Sequence, residues 1–186
     1  MKGCTATGYF FARMLNRETN IPIGIIDNSW SGSAIEPYIP PATFKDYPSI
    51  ARLADEGCAV DPTTKLGAIK YKEYLAKVRE WADTNEKALL TGRRPNYNIP
   101  KPPDVTHGAK FNGMVSPITR FAIKGVIWYQ GCANGNLHNS AMGATYTDKM
   151  DALVSSWRSL WGYEFPFYWV QLASFTRKTT DPAGGN

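Results

Sequence analysis

The fold class is best indicated by the stretch Gly125-Val-Ile-Trp-Tyr-Gln-Gly-Cys-Ala-Asn134. Its apolar run, residues 126–129, is typical of a short buried strand, and this run ends at Gln130-Gly131. Small and polar residues follow, among them Cys132. Ligands of open α/β sheets bind beyond the carboxyl ends of the strands, so this junction is a candidate site. A Gln side chain there donates hydrogen bonds without carrying charge, which suits an oxyanion hole.

Five further segments have the patterns of regular secondary structure. Two apolar or β-branched runs predict buried strands, at residues 22–27 and 167–173. Apolar residues at helical spacing predict helices over residues 5–15, 70–90 and 146–161, the last two with a buried stripe. Strands that alternate with helices predict an α/β fold, with a parallel sheet and helices on both faces.

Size and composition are those of one globular domain, residues 1–186, with 43% hydrophobic and 20% charged residues. The net charge of +5 comes from scattered Lys and Arg, and no nucleic-acid motif is present, so we expect no nucleic-acid partner. No stretch is long and apolar enough to span a membrane. The opening Met1-Lys-Gly-Cys lacks the apolar core of a signal peptide.

The three cysteines, Cys4, Cys58 and Cys132, lack the spacing of a metal or redox site. Their odd number argues against a complete disulfide framework, although one bridge is compatible with it. Cys132 has no activating histidine nearby in the motif, and a lone cysteine is more often a small buried hydrophobe than a nucleophile. Because the cysteines lack the spacing of metal ligands, we expect no metal site.

Five blocks of the sequence resemble, in order, those of the sialate O-acetylesterase family, a branch of the SGNH hydrolases. The blocks are residues 21–26 (IPIGII), 31–36 (SGSAIE, with Tyr38), 111–118 (FNGMVSPI), 128–134 (WYQGCAN), and 157–158 (WR) with 166–173 (PFYWVQLA). Together they extend over nearly the whole chain. The resemblance implies a flavodoxin-like, three-layer SGNH fold with a parallel sheet, here incomplete at both ends. It also implies hydrolysis of acetyl esters on sialic acid or a related sugar.

The resemblance places the oxyanion hole at the backbone N–H of Gly32 and the side-chain amide of Gln130. The substrate-binding residues it implies are Ser31, Ser33, Gly131, Cys132 and Asn134. Three of these depart from the family pattern: Ser31 replaces a glycine, Ser33 a threonine and Cys132 a glutamate. These changes affect the geometry expected for the turn around Gly32 and the contacts expected beside Gln130.

The nucleophile and its partners are not recognisable in this chain. The family's nucleophilic serine lies in an upstream "GQSN"-like block, and nothing before Ile21 matches it. Asp104 and His107 have the D-x-x-H spacing of the family's acid and base, but they precede the glutamine block instead of following it. We expect this pair to be unrelated to catalysis, and His138, the only other histidine, to be solvated. The chain alone is accordingly expected to be inactive, as the middle of a longer esterase.

Three functions remain open at this point. The first is a serine esterase that needs neither metal nor cofactor, acts on an acetylated carbohydrate and, by resemblance, works in a secreted, periplasmic or lysosomal setting. The second is a non-catalytic glycan-binding or interaction module that retains the aromatic-rich crevice. The third and least favoured is an esterase whose triad is built from Ser31 and His107.

Overall fold

The computed structural model describes residues 5–103, 107–135 and 144–173. The helices are α1 (Ala6–Thr19), α2 (Arg52–Cys58), α3 (Lys65–Leu90) and α4 (Tyr146–Trp161). The strands are β1 (Val126–Trp128) and β2 (Phe167–Trp169). Short helical turns occupy Glu36–Tyr38, Pro41–Asp46, Phe111–Val115 and Ser116–Ile118. No helix in these ranges is both long and apolar enough to cross a membrane.

The two strands pair in parallel, with Val126 opposite Phe167 and Trp128 opposite Trp169. Parallel neighbours need a crossover, and α4 supplies it between β1 and β2. The prediction of an α/β fold with a parallel sheet is confirmed. The carboxyl ends of both strands lie at one edge of the sheet, which is where the glutamine block continues.

The core lies between this sheet, α4 and the chain that runs from Ile35 to Ala54. The edge of the Trp128 ring meets Trp157 of α4, with 6.2 Å between centroids and 87° between planes. The indole nitrogen of Trp157 donates to the Tyr38 carbonyl oxygen at 3.1 Å. These aromatic contacts pack α4 against β1 and against the segment that carries Tyr38.

The predicted helix over residues 146–161 is confirmed at both ends. Gly162 follows it with φ of 75°, a left-handed conformation in which glycine costs little, and its N–H bonds to the Arg158 carbonyl at 2.9 Å. Leu153, Trp157 and Trp161 of the predicted stripe are buried. The helical pattern therefore identified the face of α4 that packs on the sheet.

The predicted buried strand at residues 22–27 is wrong. This segment is not paired in the sheet, and Ile21 and Ile26 are more than half exposed. It lies instead along α1, where Asn16 donates to the Ile21 carbonyl at 2.8 Å and Asp27 accepts from the Thr5 N–H at 3.2 Å. β-branched residues favour extended backbone, but a strand also needs a partner that accepts its hydrogen bonds.

The predicted stripe of α3 is buried only in part, because its larger residues Tyr71, Tyr74, Val78 and Trp81 are half-buried while Leu75, Ala82 and Leu89 are exposed. The helix begins earlier than expected, at Lys65, where Thr64 caps it by accepting from the Gly67 N–H at 3.0 Å. Leu75 and Leu89 are about half exposed or more, and the buried residues on α3 are Gly67 and Asn85. The segment after α3 folds back on it, because Asn85 exchanges two hydrogen bonds with Asn96, at 2.9 and 2.7 Å.

Candidate functional site

Beyond the carboxyl end of β1, the chain turns sharply at Gly131. This residue has φ of 155°, and a Cβ there would lie 2.7 Å from the Leu172 side chain, which follows β2. Glycine is therefore required at this point. The Gly131 carbonyl accepts from the N–H groups of Asn134 and Gly135, at 2.9 and 2.8 Å. The result is a tight turn that returns Asn134 beneath the sheet edge.

Gln130 joins this turn to the serine-rich loop. Its Nε2 donates to the Ser33 carbonyl at 2.9 Å and to Asn134 Oδ1 at 2.8 Å. Its Oε1 accepts from the Tyr146 hydroxyl at 2.9 Å. The structure thus brings the Gln130 block and the loop around Gly32 together at one edge of the sheet, as expected. It also shows that both N–H groups of the Gln130 amide are directed at acceptors within the protein.

The loop around Gly32 faces solvent. Gly32 has φ of 73° and is exposed, with no atom within 4 Å of the position a Cβ would take. The Ser33 N–H closes the turn on the Trp30 carbonyl at 3.3 Å. Glycine is suited to this backbone, which leaves open space in front of the Gly32 peptide. A ligand can approach that peptide without displacing a side chain.

A buried polar cluster lies directly behind Gln130. Asn134, Glu36 and Lys149 are 1%, 2% and 3% exposed. Lys149 Nζ pairs with Glu36 Oε1 at 2.7 Å, and Asn134 Nδ2 donates to both Glu36 oxygens at 3.0 Å. Asn134 Oδ1 accepts from Gln130 and from the Ile35 N–H at 3.0 Å. Asn134 is therefore held beneath the site, and its side chain is not presented to a substrate as the resemblance implied.

The ionisation of this cluster follows from two opposing effects on Glu36. Burial raises the pKa of its carboxyl group, while the hydrogen bonds from Lys149 and Asn134 lower it. The hydrogen bonds prevail, and the pKa of Glu36 lies below its ordinary value. Burial raises the pKa of the neighbouring Tyr146, so its hydroxyl remains a donor to Gln130 at neutral pH. The cluster is thus a carboxylate held by an ammonium group and by an amide.

The rim of the site carries an exposed aromatic ring beside a positive charge. Trp30 is 64% exposed, and Lys110 Nζ lies 4.4 Å from the centroid of its indole ring.

Cys132 is exposed as a free thiol, which corrects the expectation of a buried hydrophobe. Asn28 connects this loop to the block at residues 111–118 by donating to the Met114 carbonyl at 3.1 Å.

Comparisons with known proteins find similarity to carbohydrate esterases. Residues 105–183 match the family model for carbohydrate esterase, sialic acid-specific acetylesterase. The sialate O-acetylesterase of Mus musculus is 27% identical over 188 residues, which cover 97% of this chain and 31% of that protein. The chain is thus similar to a sialate O-acetylesterase over nearly its whole length. The Homo sapiens sialate O-acetylesterase is 28% identical over 97% of this chain and 28% of its own length.

A solved structure shows the same relationship. A carbohydrate acetylesterase from Xanthomonas citri matches with 27% identity and a TM-score of 0.53, over 91% of this chain and 26% of that chain. The chain therefore spans less than a third of the length of the relatives it matches. The family resemblance predicted from the motifs is confirmed by these matches.

His107 of the D-x-x-H motif does not pair with the serines of the loop. His107 Nε2 lies 3.0 Å from Glu56 Oε2 on α2, and its ring packs edge-on against Phe44. This structure therefore does not form the triad of Ser31 and His107 on which the third hypothesis depends. Asp104, His138 and Cys4 lie outside the described residues, and the side chain of Cys58 is not described.

Sequence reasoning missed Lys149 and Tyr146, which reach the site from the first turn of α4. No motif marks either residue, although Lys149 is one helical turn before Leu153 on the buried face.

Within the described residues, no cluster of three or more His, Cys, Asp or Glu side chains could hold a metal ion. The chemistry available at this edge is hydrogen-bond donation.

Proposed function

We propose that this chain forms the oxyanion-hole side of a carbohydrate O-acetylesterase site that acts on acetyl esters of sialic acid or a related sugar. The observation that carries the proposal is the hydrogen bond between Gln130 and Ser33, 97 residues apart, at the carboxyl end of β1. It joins the two loops that the resemblance assigns to the oxyanion hole. The names of the relatives support an acetylated carbohydrate as the substrate.

In this mechanism, the Gly32 N–H and the Gln130 amide meet the charge that develops on the acetyl oxygen. Serine esterases attack the acetyl carbonyl with a serine activated by histidine, and the oxyanion that forms is stabilised by such donors. In the proposed site, the N–H of Gln130 that bonds to the Ser33 carbonyl is shared with the oxyanion in a three-centre hydrogen bond, while the other N–H stays on Asn134. Removal of one such donor costs about 10²–10³ in turnover in a serine hydrolase.

The substrate-binding roles divide by exposure. Ser31 and Cys132 are exposed, and we assign them to the contact with the sugar. The Ser33 hydroxyl is buried and its carbonyl accepts from Gln130, so we assign Ser33 to the support of Gln130. Gly131 and Asn134 are buried, and we assign them to the support of Gln130. The Trp30 ring offers an apolar face for stacking on a sugar ring, and Lys110 beside it favours a substrate with a carboxylate.

The test compares two glycines with the same backbone conformation. Gly32 and Gly92 have φ of 73° and 65°, and each has open space where a Cβ would be. Alanine at either position costs about 1–2 kcal/mol of backbone strain. In the protein at its natural full length, we expect Gly32→Ala to lower the rate of acetate release from O-acetylated sialic acid by about tenfold or more. Gly92→Ala should retain that rate.

Equal rates in the two variants would contradict the role of Gly32. The non-catalytic alternative has a different signature. A wild-type protein that binds immobilised sialoglycan without releasing acetate would favour the glycan-binding module and would refute the esterase.

A further inference from the structure

The buried cluster of Glu36, Asn134 and Lys149 has a directional hydrogen-bond pattern. A carboxylate accepts hydrogen bonds and donates none, so the group of Asn134 that faces Glu36 at 3.0 Å must be its Nδ2. The Asn134 Oδ1 must then point the opposite way. There it accepts from the Ile35 N–H and from Gln130, at 3.0 and 2.8 Å.

The same reasoning extends to Gln130. Since Asn134 presents an oxygen, the group of Gln130 that meets it must be Nε2. The Gln130 Oε1 consequently faces the Tyr146 hydroxyl, which donates to it at 2.9 Å. The charge on Glu36, together with the Ile35 N–H and the Ser33 carbonyl, thus sets which face of Gln130 carries its donors. Lys149, at 2.7 Å from Glu36, keeps that charge compensated inside the protein.

We propose that Glu36, Asn134 and Lys149 act together as positioning residues that set the orientation of the Gln130 side-chain amide at the sheet edge. That this orientation serves oxyanion stabilisation rests on the function proposed above. The positioning itself depends only on the hydrogen-bond directions. None of the three side chains touches the substrate, because each is almost fully buried.

A purely stabilising role explains less of this arrangement. Replacing a buried ion pair by apolar side chains of similar size is often neutral or stabilising, so such a pair is weak support for a role in stability alone. With an apolar cluster, the Ile35 N–H and the Ser33 carbonyl alone would distinguish the oxygen and nitrogen ends of the two amides, which have nearly the same shape. The charged cluster adds two hydrogen bonds that favour the same orientation.

The first test observes the Gln130 amide directly. Nitrogen-15 NMR of the full chain resolves side-chain amides, and Gln130→Glu identifies the signal by its loss. We expect Glu36→Gln, which presents both a donor and an acceptor to Asn134, to speed solvent exchange of the Gln130 amide about tenfold. The paired variant Glu36→Gln/Lys149→Met should do the same, and it leaves no isolated charge in the core.

The matched control is Arg158→Met on the same helix. Arg158 binds Glu164 at 2.8 Å and the Phe165 carbonyl at 2.9 Å, away from Gln130. The Arg158→Met substitution should destabilise α4 without altering the Gln130 amide signal. If Glu36→Gln does not fold, the paired variant carries the test. Unchanged Gln130 exchange in a folded variant of either kind overturns the proposal.

The second test measures acetate release by the protein at its natural full length. We expect Glu36→Gln to lower kcat about tenfold with little change in KM, because an oxyanion donor acts in the transition state. Arg158→Met should retain kcat. A protein that releases no acetate, but whose Gln130 amide responds to Glu36→Gln, refutes the esterase function and leaves the positioning supported. A rise in KM alone would overturn the link between the cluster and the oxyanion.

Discussion

Replacement of Lys149 by methionine should be the most destabilising single change in the site. Methionine retains the length of the side chain but removes the ammonium group that pairs with Glu36 at 2.7 Å. Glu36 is only 2% exposed, so water cannot replace the lost partner. Among the residues that the structure describes, Asn134 then remains as the side-chain donor to this buried carboxylate.

The magnitude follows from the cost of an uncompensated buried charge. Removal of one partner of a buried ion pair typically costs about 3–5 kcal/mol. For a chain of 186 residues, each kcal/mol lowers Tm by roughly 2–4 °C, so we expect Tm to fall by roughly 6–20 °C. The paired variant Glu36→Gln/Lys149→Met should recover most of this loss, because it contains no isolated charge.

The pH dependence gives the sharper test, because its sign reverses between the proteins. In the wild type the pKa of Glu36 lies below its ordinary value of 4.5, so its contribution is present above that pH and is lost as the pH falls through the folded pKa. In Lys149→Met, burial prevails and the pKa of Glu36 rises. The variant then loses stability as the pH rises, and its deficit should be largest near about pH 7 and smaller near about pH 5.

Urea denaturation followed by tryptophan fluorescence measures the free energy of unfolding and its change with pH, since Trp128 and Trp157 lie in the core. The single and paired variants and the wild type are compared at both pH values. A loss below about 1 kcal/mol for Lys149→Met would show that the pair is not the buried, compensated pair described above. A deficit that does not shrink at the lower pH would refute the reasoning about Glu36.

Three smaller predictions concern the rim of the site and the end of α4. Trp30→Ala should raise KM for the sugar ester roughly two- to tenfold with kcat retained, while Tyr97→Ala, which removes an equally exposed ring beside Arg94, should change neither. Cys132→Ser should keep kcat within about twofold, and complete loss of turnover would identify a thiol nucleophile. Gly162→Ala should lower the free energy of unfolding by about 1–2 kcal/mol, measured in urea, because φ there is 75°.

Features with local causes were predicted well from the sequence. The bounds of α4 coincide with its apolar periodicity and with a glycine at the position after its last turn. The glutamine block was placed correctly because a short apolar run that ends in Gln130-Gly131 has few alternatives to a strand followed by a turn. The parallel arrangement of β1 and β2 followed from the helix between them.

Features that depend on distant partners were not predictable in the same way. Residues 22–27 have the composition of a strand, but no neighbouring strand pairs with them in the described structure, and the segment lies along α1. The periodicity of α3 is genuine, yet periodicity states only which residues share a face. It does not state that another element covers that face, and Leu75 and Leu89 remain exposed.

Lys149 shows where a closer reading of the pattern would have succeeded. It precedes Leu153 by one turn, so the buried face of α4 continues through a lysine. A lysine on such a face needs an anion, because a buried ammonium without one is prohibitively costly. Periodicity thus predicts that a partner exists but not which one, since the partner of Lys149 is Glu36, which lies far away in the sequence. The fold supplies the partner, and the partner's charge then determines the direction of both amides that end at Gln130.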